Sequence, residues 1–164
     1  MNPITIFRTK HHLTQMELAN LLYMNAQAVF LNEQGVYETV LPRIERFMVK
    51  EGEDPNEIYK SYRDFVKEKR RWFGDHHGLP SWTVGSLGPP VGSPMEEFHK
   101  HLNISRMRFC KTLCVHPAKE LAIECGKTRG LGLQIQTAFQ DAQMPQSVID
   151  ELEYRVAEYH GALV

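Results

Sequence analysis

The chain is predicted to be all-α, and three observations carry that expectation. Apolar residues recur at helical spacing, helix-start signals recur at short intervals, and no segment shows the strict alternation of a strand. Asn2-Pro3 opens a first helix as cap and first-turn proline. Thr14 with Glu17 forms a capping box for a second. Asn25 caps a third, which Gly35 ends, and a fourth runs roughly from Leu41 to Lys50. Asp54-Pro55 then starts a long amphipathic helix, residues 54–73, with Ile58, Tyr62, Phe65, Val66, Trp72 and Phe73 along one face. From Gly74 to Pro94 the composition changes, with 12 of 21 residues Gly, Pro or Ser, which reads as a linker over residues 74–93. The same signals return after it. Ser93-Pro94 with Glu96 reads as another capping box, Ser105 caps a helix reaching Leu113, and His116-Pro117 starts one that Gly126 terminates. A further helix spans about Leu131 to Ala142, and Pro145 opens a last one carrying Val148, Leu152, Val156 and Tyr159.

The 164 residues suffice for one ordinary domain or two small ones. No cationic start leads into an apolar run, and no apolar stretch approaches the roughly 20 residues that span a bilayer. A cytoplasmic protein with reduced thiols and no membrane partner is therefore expected. Cys110, Cys114 and Cys125 are expected to be buried thiols. Zinc is the other reading, since His99, His101 and His116 lie near them, but the paired ligand spacing is incomplete and no metal is expected. The net charge of −1 hides an uneven distribution: residues 56–73 carry +3, residues 98–129 carry +5 and residues 141–164 carry −4. A basic middle beside an acidic tail suits an anionic partner on one face, or is simply solvated surface.

Shifted by 91 positions, the apolar pattern largely superimposes on itself. Phe7 falls on Phe98, Leu13 on Ile104, Met16 on Met107, Leu18 on Phe109, Leu22 on Leu113, Met24 on Val115, Gly35 on Gly126 and Ile44 on Ile135. Val29 falls on Glu120, an exception for which Leu121 is the expected apolar substitute. Two copies are too few for a solenoid and fit two copies of one small domain, residues 1–53 and 94–164. In each copy two short helices meet through a tight turn, Leu22-Tyr23-Met24-Asn25 or Leu113-Cys114-Val115-His116, with a Glu-x-Gly ending the second helix. Such a pair suits entry of one helix into a major groove about 12 Å wide.

"LTQMELANLLYMNAQAVFLNEQG" resembles the helix-turn-helix of lambda-repressor-like and Cro-like regulators, and "ISRMRFCKTLCVHPAKELAIECGKTR" resembles a second, more divergent copy. The resemblance covers roughly residues 3–50 and 95–142. It implies two small lambda-repressor-like bundles, joined by the basic helix and the linker, that bind double-stranded DNA. It further implies a transcription regulator, most simply a repressor, with a layout similar to the immunity repressors that maintain lysogeny in temperate phages. A bacterial cell or phage host is the implied setting. The chain departs from the family in having Tyr23 and Cys114 where the turn usually has glycine; a left-handed backbone there costs a bulky residue about 1 kcal/mol. Pro117 also removes a donor and a long side chain from a place the family often uses on bases.

The resemblance assigns base readout to Ala26, Gln27, Ala28 and Leu31 in the first copy, and to His116, Ala118, Lys119 and Ala122 in the second. Gln27 suits paired hydrogen bonds to adenine, and Lys119 suits guanine O6 or N7. Plain surface polarity for Gln27 and a salt bridge for Lys119 are the alternatives. Phosphate contacts fall to Gln15, Asn25, Tyr37, Arg106, Lys127, Thr128 and Arg129, and to Lys69, Arg70 and Arg71 of the basic helix, whose alternative is a solvated face. A linker of about 20 residues reaches at most roughly 70 Å, against about 34 Å between successive major-groove faces. A monomer using both copies on an asymmetric site follows, and self-association is left open. The rival reading keeps one copy for DNA and the other for protein contact, as in an antitoxin or a phage accessory protein. No enzyme is expected: His11-His12 and His76-His77 lack partners for catalysis. The "GKT" of Gly126 to Thr128 has Leu121 where a P-loop needs glycine, so no nucleotide or other cofactor is expected.

Overall fold

Capping side chains and prolines set most of the helix starts. In the computed structural model, which describes residues 1–164, the chain forms ten α-helices and no strand. The first five are α1 Pro3–Lys10, α2 Gln15–Leu21, α3 Ala26–Gln34, α4 Pro42–Lys50 and α5 Pro55–His76. The second five are α6 Pro94–Leu102, α7 Arg106–Leu113, α8 Pro117–Glu124, α9 Leu133–Asp141 and α10 Gln146–Leu163. Each of the second five starts 91 positions after its counterpart. The backbone repeats at the same offset. His12, Tyr23, Gly35 and Gly52 take positive φ, and so do Asn103, Cys114, Gly126 and Gln143. The N–H groups of Leu13, Met24, Val36 and Glu53 bond to the carbonyls of Arg8, Ala19, Leu31 and Met48; those of Ile104, Val115, Lys127 and Met144 bond to His99, Cys110, Ala122 and Phe139. These bonds close each helix end through a left-handed residue.

Two compact units result, Met1–Glu68 and Lys69–Val164. In the first, Ile4, Phe7, Leu18, Val29, Ile44, Met48, Ile58 and Tyr62 are buried. The second buries Phe73, Leu79, Leu87, Met95, Phe98, Phe109, Ile135, Phe139 and Ile149 as one core.

Several expectations need correction. The segment 74–93 is not a linker. It carries short 3₁₀ turns at Leu79–Ser81 and Val84–Leu87, and Leu79 and Leu87 belong to the second core with Trp82 packed against it. At Gly74 the missing side chain serves packing: a Cβ there would stand 1.9 Å from the Ala142 carbonyl oxygen. The reach argument for a free tether therefore does not apply. The helix expected over residues 54–73 to pack on the first domain is shared: α5 begins as the fifth helix of the first unit, where Ile58, Tyr62 and Val66 are buried, and the unit boundary falls inside it. Trp72 is 55% exposed and stacks on His76, so the apolar face of α5 does not run unbroken to its end. Ser93 makes no capping bond; its hydroxyl donates instead to the Glu124 carbonyl at 2.8 Å. Cys110 and Cys114 are buried, and burial pushes the Cys110 thiol up to about 12, but Cys125 is exposed. No helix is long and apolar enough to cross a membrane.

Candidate nucleic-acid interface

In each unit the second and third helices pack together across a tight turn, residues 22–25 in the first and 114–116 in the second. Tyr23 and Cys114 both sit in the left-handed region, at φ 54° and 59°. An arginine holds each turn. Arg43 Nη1 donates to the carbonyls of Leu22 and Tyr23, and Arg70 donates through Nε and Nη2 to those of Leu113 and Cys114. These acceptors are equivalent at the 91-residue offset. Arg43 is exposed, whereas Arg70 is buried and paired with Asp141 at 3.0 Å.

Arg70 is thus spent on the turn and is not a phosphate ligand. Lys69 is not one either: its ammonium donates to the Lys111 carbonyl at 2.7 Å, and burial pushes its pKa down. Of the three basic residues, Arg71 alone is exposed.

The third helix of each unit divides by face. On α3, Val29, Asn32 and Glu33 are buried, Gln27 is exposed, and Ala26, Ala28 and Leu31 are half-buried. Asn25 Oδ1 accepts the Gln27 N–H at 2.7 Å, so it serves as the cap. On α8, Glu120 and Ile123 are buried, Ala118 and Lys119 are exposed, and Ala122 is half-buried. His116 caps it, Nδ1 accepting the Ala118 N–H at 3.1 Å. Lys127 and Arg129 are exposed in the following loop, while Thr128 donates to the Gly130 carbonyl. Tyr37 is half-buried, with its carbonyl accepting from the Tyr62 hydroxyl.

Asn32 is a structural hub. Its carboxamide donates to the Thr39 carbonyl and the Tyr62 hydroxyl and accepts the Leu41 N–H, shaping the loop after α3. Gln15, expected on phosphate, is half-buried and donates to Glu33. Glu33 accepts four hydrogen bonds in all, from Thr5, Arg8 and Gln15. Arg106, the counterpart of Gln15, stays exposed with Nη1 3.5 Å from Glu124. Arg8, Arg43, Asn32, Glu33, His99 and Glu120 were missed as site-shaping residues. Applying the 91-residue shift to polar positions as well would have set Arg8 against His99, beside the break already noted where Val29 falls on Glu120.

The electrostatics of the two faces differ sharply. Residues 11–42 contain no Lys or Arg, and Glu17 and Glu38 are exposed there. The equivalent residues 102–133 contain six: Arg106, Arg108, Lys111, Lys119, Lys127 and Arg129. Their two acids, Glu120 and Glu124, lie on the inward side of α8, buried and half-buried. No family model, curated protein or solved structure matches the chain.

Proposed function

We propose that the chain is a sequence-specific double-stranded DNA-binding regulator, acting as a repressor by occupancy, with its second unit supplying most of the attraction to phosphate. The observation that carries this reading is the set of six cations over residues 102–133, against none over residues 11–42. Duplex DNA presents one negative charge per roughly 1.7 Å, so a helix pair that carries no cation of its own gains little from it. In this reading α8 enters the major groove, with Ala118, Lys119 and Ala122 towards base edges. Arg106, Lys127 and Arg129 lie along the backbone, and Arg71 adds a phosphate contact. Gln27, Ala28 and Leu31 of α3 serve as a secondary reader. A phage immunity role is the biological setting that the sequence resemblance suggests.

One observation favours the second reading, in which the first unit contacts protein. Around the turn that Arg43 holds, Met16, Leu21 and Tyr23 are exposed, at 59%, 53% and 90%. Salt dependence of DNA binding by the full chain separates the two. Lys127→Ala with Arg129→Ala should lower the log–log slope by about 1.8, at about 0.9 per lost phosphate contact. Gln27→Ala should leave the slope unchanged and weaken only the selected sequence, if α3 reads bases. An unchanged slope in the double variant would overturn the assignment to the second unit. Selected affinity that is indifferent to Gln27 would leave α3 to protein contact.

A further inference from the structure

Beneath α8 the second unit holds a polar cluster whose counterpart in the first unit is arranged differently. Glu33 of the first unit is neutralised by Arg8 and further bonded by Thr5 and Gln15. At the equivalent positions the second unit has Glu124, His99, Glu96 and Arg106, and it adds Glu120 where the first unit buries Val29. A guanidinium has become an imidazole, a hydroxyl donor has become an acid, and an apolar core residue has become a carboxylate.

Glu120 is 0% exposed and His99 is 5% exposed. His99 Nε2 lies 2.5 Å from Glu120 Oε1; His99 Nδ1 is buried with no partner, and beyond His99 the buried Glu120 carboxyl has only a hydrogen bond with the Glu124 carboxyl, two acids sharing a proton. Burial pushes the Glu120 and Glu124 carboxyls up and the His99 imidazole down, and Glu120 beside it raises Glu124 further. The one nearby guanidinium, Arg106, sits at the exposed edge on Glu124. Two adjoining acids therefore share too little positive charge, and the unpartnered buried imidazole nitrogen adds a further cost. One ligand atom from each of His99, Glu120 and Glu124 lies within 4.8 Å of the others.

We propose that His99, Glu120 and Glu124 bind a divalent transition-metal ion that clamps α8 to α6. Metal–ligand bonds of about 2.0–2.2 Å require small side-chain adjustments to draw these atoms together. One imidazole nitrogen with two carboxylates suits Zn²⁺, Fe²⁺ or Mn²⁺; Mg²⁺ keeps its waters, and Ca²⁺ prefers six to eight oxygens. Any proton shared by His99 and Glu120 leaves on binding, since ligands coordinate deprotonated. The cysteines take no part. An influence of the ion on DNA affinity would follow from α8 being the reading helix and rests on that assignment; ion binding itself does not.

The test uses the full chain stripped with chelator and titrated with ZnCl₂ by calorimetry and equilibrium dialysis, with MgCl₂ in parallel. One zinc per chain is expected, with a raised Tm and no comparable response to Mg²⁺. Glu120→Val installs the residue the first unit packs at this place, and Glu124→Gln alters the less buried ligand. Each should weaken zinc by more than about 100-fold, beyond the loss usual for a mere outer-shell partner. No zinc uptake would overturn the proposal, since protons alone then satisfy the cluster. Equal affinity for Mg²⁺ would overturn the ligand class. Zinc retained by both variants would place the ion elsewhere, such as at His11-His12 or His76-His77. Should Glu120→Val fail to fold, Glu124→Gln decides. All these outcomes are read without DNA, so they stand or fall apart from the proposed function.

Discussion

The two units carry one backbone plan and two different polar interiors. In the first, a single buried acid, Glu33, is matched by Arg8, Thr5 and Gln15, and the turn is held by an exposed Arg43 from α4. In the second, two acids share one imidazole and an edge guanidinium, and the turn is held by a buried Arg70 from α5. The repeated left-handed residues and helix ends set where α3 and α8 lie within their own units, whichever side chains surround them. The networks beneath those helices are therefore separable from the fold. So is the placement of cations around the second and third helices, six over residues 102–133 against none over residues 11–42.

Exchanging the residues at the Val29 and Glu120 position is the harshest way to break this comparison. Val29→Glu puts a carboxylate where Val29 is fully buried and where Glu33 already uses Arg8. A loss of about 4 kcal/mol or more is expected, enough to unfold the first unit, because an unpaired buried charge is among the few large destabilising mechanisms. The reverse change, Glu120→Val, should leave metal-free protein unchanged or more stable by about 1–4 kcal/mol, the range seen when buried ionic groups give way to apolar ones. Urea unfolding of both variants in chelator checks the pair. Equal losses would mean that the two interiors are not rewired in the way the hydrogen bonds indicate.

The two turn-holding arginines give the next largest contrast. Arg70→Ala removes three hydrogen bonds and strands Asp141 in a largely buried site, a loss of about 3–5 kcal/mol. Arg43→Ala opens carbonyls that solvent can reach, a loss of about 1 kcal/mol or less. Thermal unfolding of each variant measures the difference, and similar losses would show that burial does not separate the two roles.

Much of this was legible in the sequence, and what was missed shares a cause. Asn2, Thr14, Asn25 and Ser105 cap as expected because capping is local, settled within two or three residues. The repeat was legible because apolar spacing fixes the face each helix buries. Arg70 was misassigned because a run of basic residues does not reveal that a turn 43 residues later needs a donor. The segment 74–93 passed as a linker because Leu79, Trp82 and Leu87 are diluted among glycines and prolines, and their burial depends on distant helices, among them α6 and α10, packing against the segment. Glu120 showed only as a break in the repeat, since its partner His99 is 21 residues away. Long-range polar pairing was invisible wherever one residue of the pair had an ordinary local explanation.

The smallest effect concerns the left-handed turn residue, and its sign should differ between the units. Tyr23 is 90% exposed with φ 54°, so Tyr23→Gly gives up almost no packing and removes about 1 kcal/mol of backbone strain. Part of that gain is offset by the greater freedom of glycine in the unfolded chain, which leaves a stabilisation of roughly 0.5 kcal/mol. Cys114 has the same backbone conformation but is fully buried, so Cys114→Gly relieves similar strain while emptying a filled site. A net loss of about 1 kcal/mol is expected there, since a buried methylene-sized group is worth about 0.8 kcal/mol before the cavity is counted. Urea midpoints should therefore move up for Tyr23→Gly and down for Cys114→Gly. If both move down, the left-handed backbone is less strained than its φ implies, and the exposed tyrosine is held there by contacts of its own.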